Sequence, residues 1–378
     1  MNRIYLDNNA TTSLDHRVLD AMLQDLRPIP ANPSSIHFYG QEAKQKLQHA
    51  RSLIGNFLGI KPSEIIFTSG GTESLNMLIK GPFLAGRSGH IITSDIEHSS
   101  VYNTIKFLEK NGCEVTFLKA GLWGTVKPEQ VEGAINKNTS LIILGAVNGE
   151  TGVKTDIEAI AHIAKNHQIP FVVDAVALLG KELFIIPDGV SAMAFSAHKL
   201  HGPKGIGMAY VHSSFKFDPL LIGGDQEYSK RAGTENLAGI LGMAQAIDLL
   251  RHELPSATHR MQQMRDRLEE GLKKSLGNIL INGEGPRVAN TSNISFPDID
   301  GEALLINLDL AGIAASHGSA CASGALEPSR VLLEMGIDRK IARSSLRFSL
   351  SRQTSPEEIE RAIKIIEKVV HNLRKSCL

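Results

Sequence analysis

Leu141-Ile142-Ile143-Leu144 and Phe171-Val172-Val173-Asp174 are short, almost wholly apolar runs, and between them Ile157 to His167 repeats its apolar residues at helical spacing. Runs of this kind, separated by an amphipathic helix, mark strands buried on both faces and joined by a crossover. The same alternation continues in both directions, through Ile65-Ile66-Phe67, His90-Ile91-Ile92-Thr93, Val115-Thr116-Phe117-Leu118, Met193-Ala194-Phe195 and Gly207-Met208-Ala209-Tyr210-Val211. The chain is therefore expected to be α/β, with a largely parallel sheet covered by helices on both faces. A long helix precedes the first core strand, carried by Ala43, Leu47, Ala50, Ile54, Phe57 and Leu58.

At 378 residues the chain exceeds the size at which a single core stops growing, so a large and a small domain are expected. From about Thr234 the texture changes to long helical patterns, one through Leu249-Leu250 and another from His259 to Leu276. A second α/β unit follows, with Asn293-Ile294-Ser295-Phe296 as a strand and Glu302 to Leu310 as a helix. Ser355, Pro356 and Glu358 form the capping box of a final helix. Basic and acidic residues balance at 40 each, which gives no electrostatic case for a nucleic-acid or membrane partner. The amino terminus reaches Asp7 before an apolar signal segment forms, and a soluble, cytoplasmic protein is expected. Cys113, Cys321 and Cys377 are too few and scattered for a disulfide framework or a structural zinc site.

Several candidate sites fall at the carboxyl ends of the inferred strands, where α/β proteins bind ligands. Lys199, in Ser196-Ala197-His198-Lys199, follows an apolar run; desolvation there lowers a lysine's pKa or favours its use in a covalent bond. It reads as a Schiff-base lysine or as an ordinary surface lysine. Thr68-Ser69-Gly70-Gly71-Thr72-Glu73-Ser74 leads from a strand into a helix and offers free amides to an anion, or is a plain capped turn. Asp174 ends a very apolar strand, and its charge needs a cation, a protonated ring nitrogen or a helix to cap. His98 lies just past another strand. Ser316 to Gly324 is a run of small residues around Cys321, which points to a mobile loop presenting a reactive thiol. Arg347 alternates with apolar neighbours and suits either a substrate carboxylate or a structural ion pair. Lys230 to Asn236 enters a helix and could present Thr234 to an anion.

Taken in order, these pieces together with Tyr5-Leu6-Asp7-Asn8-Asn9-Ala10-Thr11-Thr12 and Asn32-Pro33-Ser34-Ser35-Ile36-His37 resemble one family across nearly the whole chain. It is the pyridoxal-phosphate-dependent cysteine desulfurases of the NifS/IscS type, within the class V aminotransferase superfamily. The resemblance implies a fold type I enzyme whose large domain, residues 15–252, holds a mainly parallel seven-stranded sheet sandwiched by helices. Residues 1–14 and 253–378 then form a smaller α/β domain carrying the cysteine loop. It further implies a homodimer with pyridoxal 5'-phosphate as cofactor and no metal. Lys199 corresponds to the Schiff-base lysine, Asp174 to the partner of the pyridine nitrogen and His98 to the residue stacked on the ring. Gly71, Thr72, Ser196 and His198 match the phosphate site, with Thr234 donated by the other subunit. Arg347 matches the clamp on the substrate carboxylate, Asn32 belongs to the substrate side, and Cys321 matches the sulfur acceptor. L-cysteine is the implied substrate, and a sulfur-acceptor protein such as an iron-sulfur scaffold the implied partner.

Two positions depart from the family pattern. Gly149, in Asn148-Gly149-Glu150-Thr151-Gly152, stands where an asparagine is usual, and Ala177, after Asp174-Ala175-Val176, where a glutamine donates to the cofactor's ring oxygen. Both losses fall on one side of the ring and leave a wetter or roomier site. They keep two other readings in view: a selenocysteine lyase or another class V lyase or aminotransferase, and a non-catalytic scaffold.

Overall fold

The computed structural model describes residues 3–26, 32–318 and 327–376. Its centre is a seven-stranded sheet of order β2-β8-β7-β6-β5-β3-β4, made of β2 (Ile65–Thr68), β3 (His90–Ser94), β4 (Glu114–Leu118), β5 (Thr139–Gly145), β6 (Phe171–Asp174), β7 (Val190–Ser196) and β8 (Gly207–Val211). The neighbours from β4 to β7 pair in parallel, and β8 alone runs antiparallel between β7 and β2. Successive side chains of a strand point to opposite faces, and both faces are covered here. Ile142, Leu144, Phe171, Val173, Met193 and Phe195 enter one apolar layer, while Leu141, Ile143, Val172, Ala192 and Ala194 enter the other. That explains why these strands read as unbroken apolar runs.

A second apolar cluster gathers around a three-stranded antiparallel sheet of order β12-β10-β9, from β9 (Leu280–Ile281), β10 (Thr291–Ser295) and β12 (Ser345–Ser349). Beside it β1 (Ile4–Tyr5) pairs in parallel with β11 (Ile313–Ala314), so the amino-terminal segment packs with the carboxyl-terminal third. The capping box at Ser355 is present: Glu358 N donates to Ser355 Oγ at 3.2 Å and Ser355 N to Glu358 Oε2 at 2.9 Å.

The two helical patterns expected after Thr234 are one continuous 40-residue helix, Leu237–Leu276, with Pro255 inside it. Its first half, through Leu254, packs on the large sheet, and its second half, from Met261 to Leu276, packs on the small one. One buried stripe runs through both halves at three- and four-residue spacing, Leu250, Leu254, Ala257, Met261 and Met264 among it, and Pro255 at the junction is what makes the periodicity read as two segments. No helix among the described residues is long and apolar enough to cross a membrane.

Candidate active site

A cavity of about 540 Å³ opens at the carboxyl ends of the parallel strands. Gly71, Thr72, His98, Asp174, Ser196, His198, Lys199 and Arg347 all line it, so eight residues expected from sequence converge from positions 276 apart along the chain (71 to 347). Asp174 is the last residue of β6, Ser196 the last of β7, and His98 caps the helix Ser99–Lys110. His98 Nδ1 accepts from Ser100 N at 3.2 Å, which leaves the hydrogen of the neutral ring on Nε2.

The turn after β7 is held from the amino-terminal segment. Thr12 Oγ1 donates to the His198 oxygen at 2.9 Å and accepts from His201 N at 2.7 Å, while His201 sits in the left-handed region at φ 66°. Lys199 Nζ donates to the main-chain oxygens of Asn9 and Ala10, the latter at 2.9 Å. The lysine therefore projects into the cavity between the sheet edge and the chain's first dozen residues.

The anion cradle has the expected form. The helix Gly71–Leu84 begins after Gly70, which has no side chain to cap it, so first-turn amides are left for an external acceptor. A Cβ at Gly71 would meet Val176 Cγ2 at 2.7 Å, and one at Gly207 would meet Gly70 Cα at 2.6 Å. Glycine at both positions lets the cradle close on the sheet edge. Glu73 fastens the neighbouring loop, accepting from Arg231 Nε at 2.8 Å.

Burial dominates the electrostatics. Asp174 is fully desolvated, which pushes its carboxyl above the usual range against the pull of His98 and Lys199. A buried carboxylate in that state fits a protonated ring nitrogen, whose hydrogen bond would favour the anion. His198 is pushed down to about 4, first by burial and then by Lys199, Lys204 and Lys181, so near neutral pH it is an uncharged donor or acceptor. The donor set, with free helix amides, two hydroxyls at Thr72 and Ser196, one buried carboxylate and one lysine, fits a phosphorylated pyridine aldehyde.

Residues that local sequence did not single out complete the wall. Lys181 is 3% exposed, donates to the Lys199 oxygen at 3.0 Å and is lowered to about 7 by burial, with Lys199 and Arg352 adding to it. Glu97, beside His98, is raised to about 8 by burial despite the Ser94 hydroxyl at 2.5 Å and Gly145 N at 2.9 Å. Glu150 accepts from Ser329 Oγ at 2.5 Å. Arg330 stacks over the Tyr102 ring at 4.1 Å and donates to the oxygens of Asp95 and Glu97. A charged residue closing an apolar run was the available signal for Lys181 and Glu97; Arg330 had none.

Arg347 is 3% exposed. Its Nη2 donates to Asp7 Oδ1 at 2.8 Å and its Nη1 to the Gly149 oxygen at 3.1 Å, while Nε is buried without a partner among the described residues. The ion pair and the cavity position thus coexist. A Cβ at Gly149 would meet no atom within 4 Å, and Ala177 lines the cavity on the side of Lys181.

Asn32 and Thr234 do not line this cavity: both are exposed, and Asn32 Oδ1 instead accepts from Ser34 N at 2.9 Å. Cys321 lies outside the described residues, although Gly318 and Glu327, the nearest described residues on either side, both line the cavity. Cys377 is likewise outside them, and Cys113 is buried, which pushes its thiol up.

A sheet-edge lysine facing a buried aspartate and an anion cradle is the arrangement of a fold type I cofactor enzyme, and the comparisons with known proteins agree. A family model described as aminotransferase class-V matches residues 4–362. Cysteine desulfurase 2 of Trichormus variabilis is 43% identical over 99% of this chain and 94% of its own length. Cysteine desulfurase IscS of Dictyoglomus turgidum is 41% identical over 98% of this chain and 95% of its own. Among solved structures, a NifS-like protein superposes with a TM-score of 0.90 at 37% identity, covering 98% of this chain and all of its own. SspA in complex with cysteine superposes with a TM-score of 0.83 at 34% identity, over 93% of this chain and all of its own. The chain belongs to the class V aminotransferase family and, within it, to the cysteine desulfurases.

Proposed function

We propose that this chain is a pyridoxal 5'-phosphate-dependent cysteine desulfurase that converts L-cysteine to L-alanine and carries the sulfur as a persulfide on Cys321. The observation that carries the reading is the convergence of Lys199, Asp174, His98 and the Gly71–Thr72 cradle in one cavity, with Arg347 at its far wall. We further propose a cytoplasmic homodimer, each protomer divided into residues 15–252 and residues 1–14 with 253–378. Thr234 serves the partner's phosphate site, and a protein such as an iron-sulfur scaffold receives the sulfur.

Gly71, Thr72, Ser196 and His198 would hold the phosphate, Asp174 the pyridine nitrogen and His98 the ring face. The chemistry a cofactor held there would supply is electron withdrawal from the substrate's α-carbon. Lys199, anchored to the Asn9 and Ala10 oxygens, is placed to hold and move the α-proton. Arg347 orients the substrate carboxylate, with its Nε, which has no partner among the described residues, as the added donor. Asn32 belongs to the substrate side of the assembled dimer. The Cys321 thiolate attacks the substrate sulfur; the S–S bond forms, the C–S bond breaks with its electron pair left on carbon, and that carbon takes up a proton. Enzyme thiol and cysteine become enzyme persulfide and alanine without an external oxidant.

The test is to supply L-cysteine and a thiol reductant to the purified holoenzyme. Sulfide and alanine form in equal amounts, and both are lost in Cys321→Ala while the cofactor's colour persists. A chain that takes up no colour from pyridoxal phosphate would overturn the reading.

A further inference from the structure

Three histidines line the cavity: His98, His198 and His317. In the first two, Nδ1 already faces a hydroxyl, Ser100 Oγ at 2.7 Å and Thr11 Oγ1 at 3.2 Å. His317 differs. It is 8% exposed, its Nε2 lies 2.9 Å from the main-chain oxygen of Arg343, and its Nδ1 is buried with no partner among the described residues. A carbonyl oxygen only accepts, so Nε2 carries the hydrogen and Nδ1 holds a bare lone pair. An unpaired buried nitrogen is uncommon in a folded protein, and this one sits on a residue that lines the cavity.

The ring's seat is rigid. It packs on Gly301, where a Cβ would come within 2.2 Å of the Arg343 oxygen and 2.9 Å of the imidazole. Glu150, bound by Ser329, interacts electrostatically with the ring and also with Arg347 and Arg330. On the other side Arg343 pairs with Asp300, the cap of the helix Gly301–Leu310.

We propose that His317 is a proton acceptor of this cavity, taking the proton of a thiol onto Nδ1. The S–H bond breaks, its electron pair stays on sulfur, and the proton joins the ring nitrogen; no oxidant or reductant is consumed. The proposal rests on the desulfurase reading, which brings two thiols into play, that of L-cysteine and that of Cys321. The chemistry is the same for both, and the experiment separates them.

His317→Gln keeps a side-chain N–H for the Arg343 oxygen but removes the base, so a purely structural histidine loses little by it. In the holoenzyme, alanine formation from L-cysteine is followed against pH, together with iodoacetamide alkylation of Cys321 read by peptide mass spectrometry. The variant is expected to keep wild-type cofactor absorbance and melting temperature, to turn over about 100-fold more slowly and to be partly rescued by imidazole. An alkylation midpoint that moves to higher pH identifies Cys321 as the proton donor; an unmoved midpoint with the same rescued loss identifies the substrate thiol. A variant with the wild-type rate and pH profile overturns the proposal. If the wild type itself forms no alanine, it is the desulfurase reading that fails. Nitrogen NMR of histidine-labelled wild type gives an independent answer: an Nε2–H tautomer whose Nδ1 titrates supports the role, and an Nδ1–H tautomer overturns it.

Discussion

The cavity has two walls built on different principles. The sheet wall, with Asp174, Ser196, His198 and Lys199, comes from strand ends close in sequence, and burial sets its charge states. The second wall joins segments distant in sequence: Asp7 to Arg347 at 2.8 Å, Asn9 to the Gly149 oxygen at 3.1 Å, and Ser329 to Glu150. Direct ion pairs and hydrogen bonds hold those groups. The difference suggests a division of labour in which the sheet wall retains the cofactor and the joined wall selects and places the substrate.

Substitutions on the two walls should therefore fail differently. Lys199→Ala is expected to slow alanine formation by about 10⁴-fold while leaving the melting temperature within a few degrees of wild type, because one amine moves the α-proton. Asp174→Ala should weaken pyridoxal phosphate binding by about 10- to 100-fold in an absorbance titration, the loss of one charge-assisted bond. Arg347→Ala belongs to the other wall, and there KM for L-cysteine should rise by about 30-fold with the cofactor spectrum unchanged. A spectrum that changes as much as KM would erase the division.

Glu97 tests the claim that burial governs the sheet wall. Its folded pKa of about 8 lies above that of an unfolded glutamate, so its contribution to stability is complete at low pH and is lost as pH rises towards 8. Glu97→Gln should therefore gain on wild type from about pH 5 to pH 8, by up to about 1.4 kcal/mol per pH unit in urea unfolding. A constant difference across that window would show that burial leaves the carboxyl unperturbed. The smallest effect is expected from restoring the usual side chains. Gly149→Asn with Ala177→Gln should tighten cofactor binding only about fivefold, one neutral hydrogen bond's worth, and shift the visible spectrum.

The legibility of the two walls from sequence follows the same divide. Apolar strands such as β6 announce themselves, and the polar residues at their carboxyl ends are ready candidates: Asp174 closes β6, and Lys199 lies three residues past Ser196, which closes β7. β10 is buried throughout, yet it reads Thr291-Ser292-Asn293-Ile294-Ser295, and partners such as Asn282 and Ser345 stabilise it rather than apolar transfer. Ile294 and Phe296 are enough to place a strand at 293–296, but its polar start at Thr291 and Ser292 leaves no mark in a hydropathy pattern. Arg347 was legible only as a choice between a clamp and an ion pair, and the fold shows that it has the pair and the cavity together.

The sequence alone determined the layered α/β architecture, the strand ends that carry chemistry and the family, because periodicity and short motifs are local properties. Only the tertiary structure decided that the 237–276 helix is continuous, that Lys199 is held by Asn9 and Ala10, and that Lys181 and Glu97 are buried. It alone also left His317 Nδ1 without a partner among the described residues. Those facts depend on which distant segments meet and how much water remains between them. Neither quantity is written in the spacing of residues along the chain.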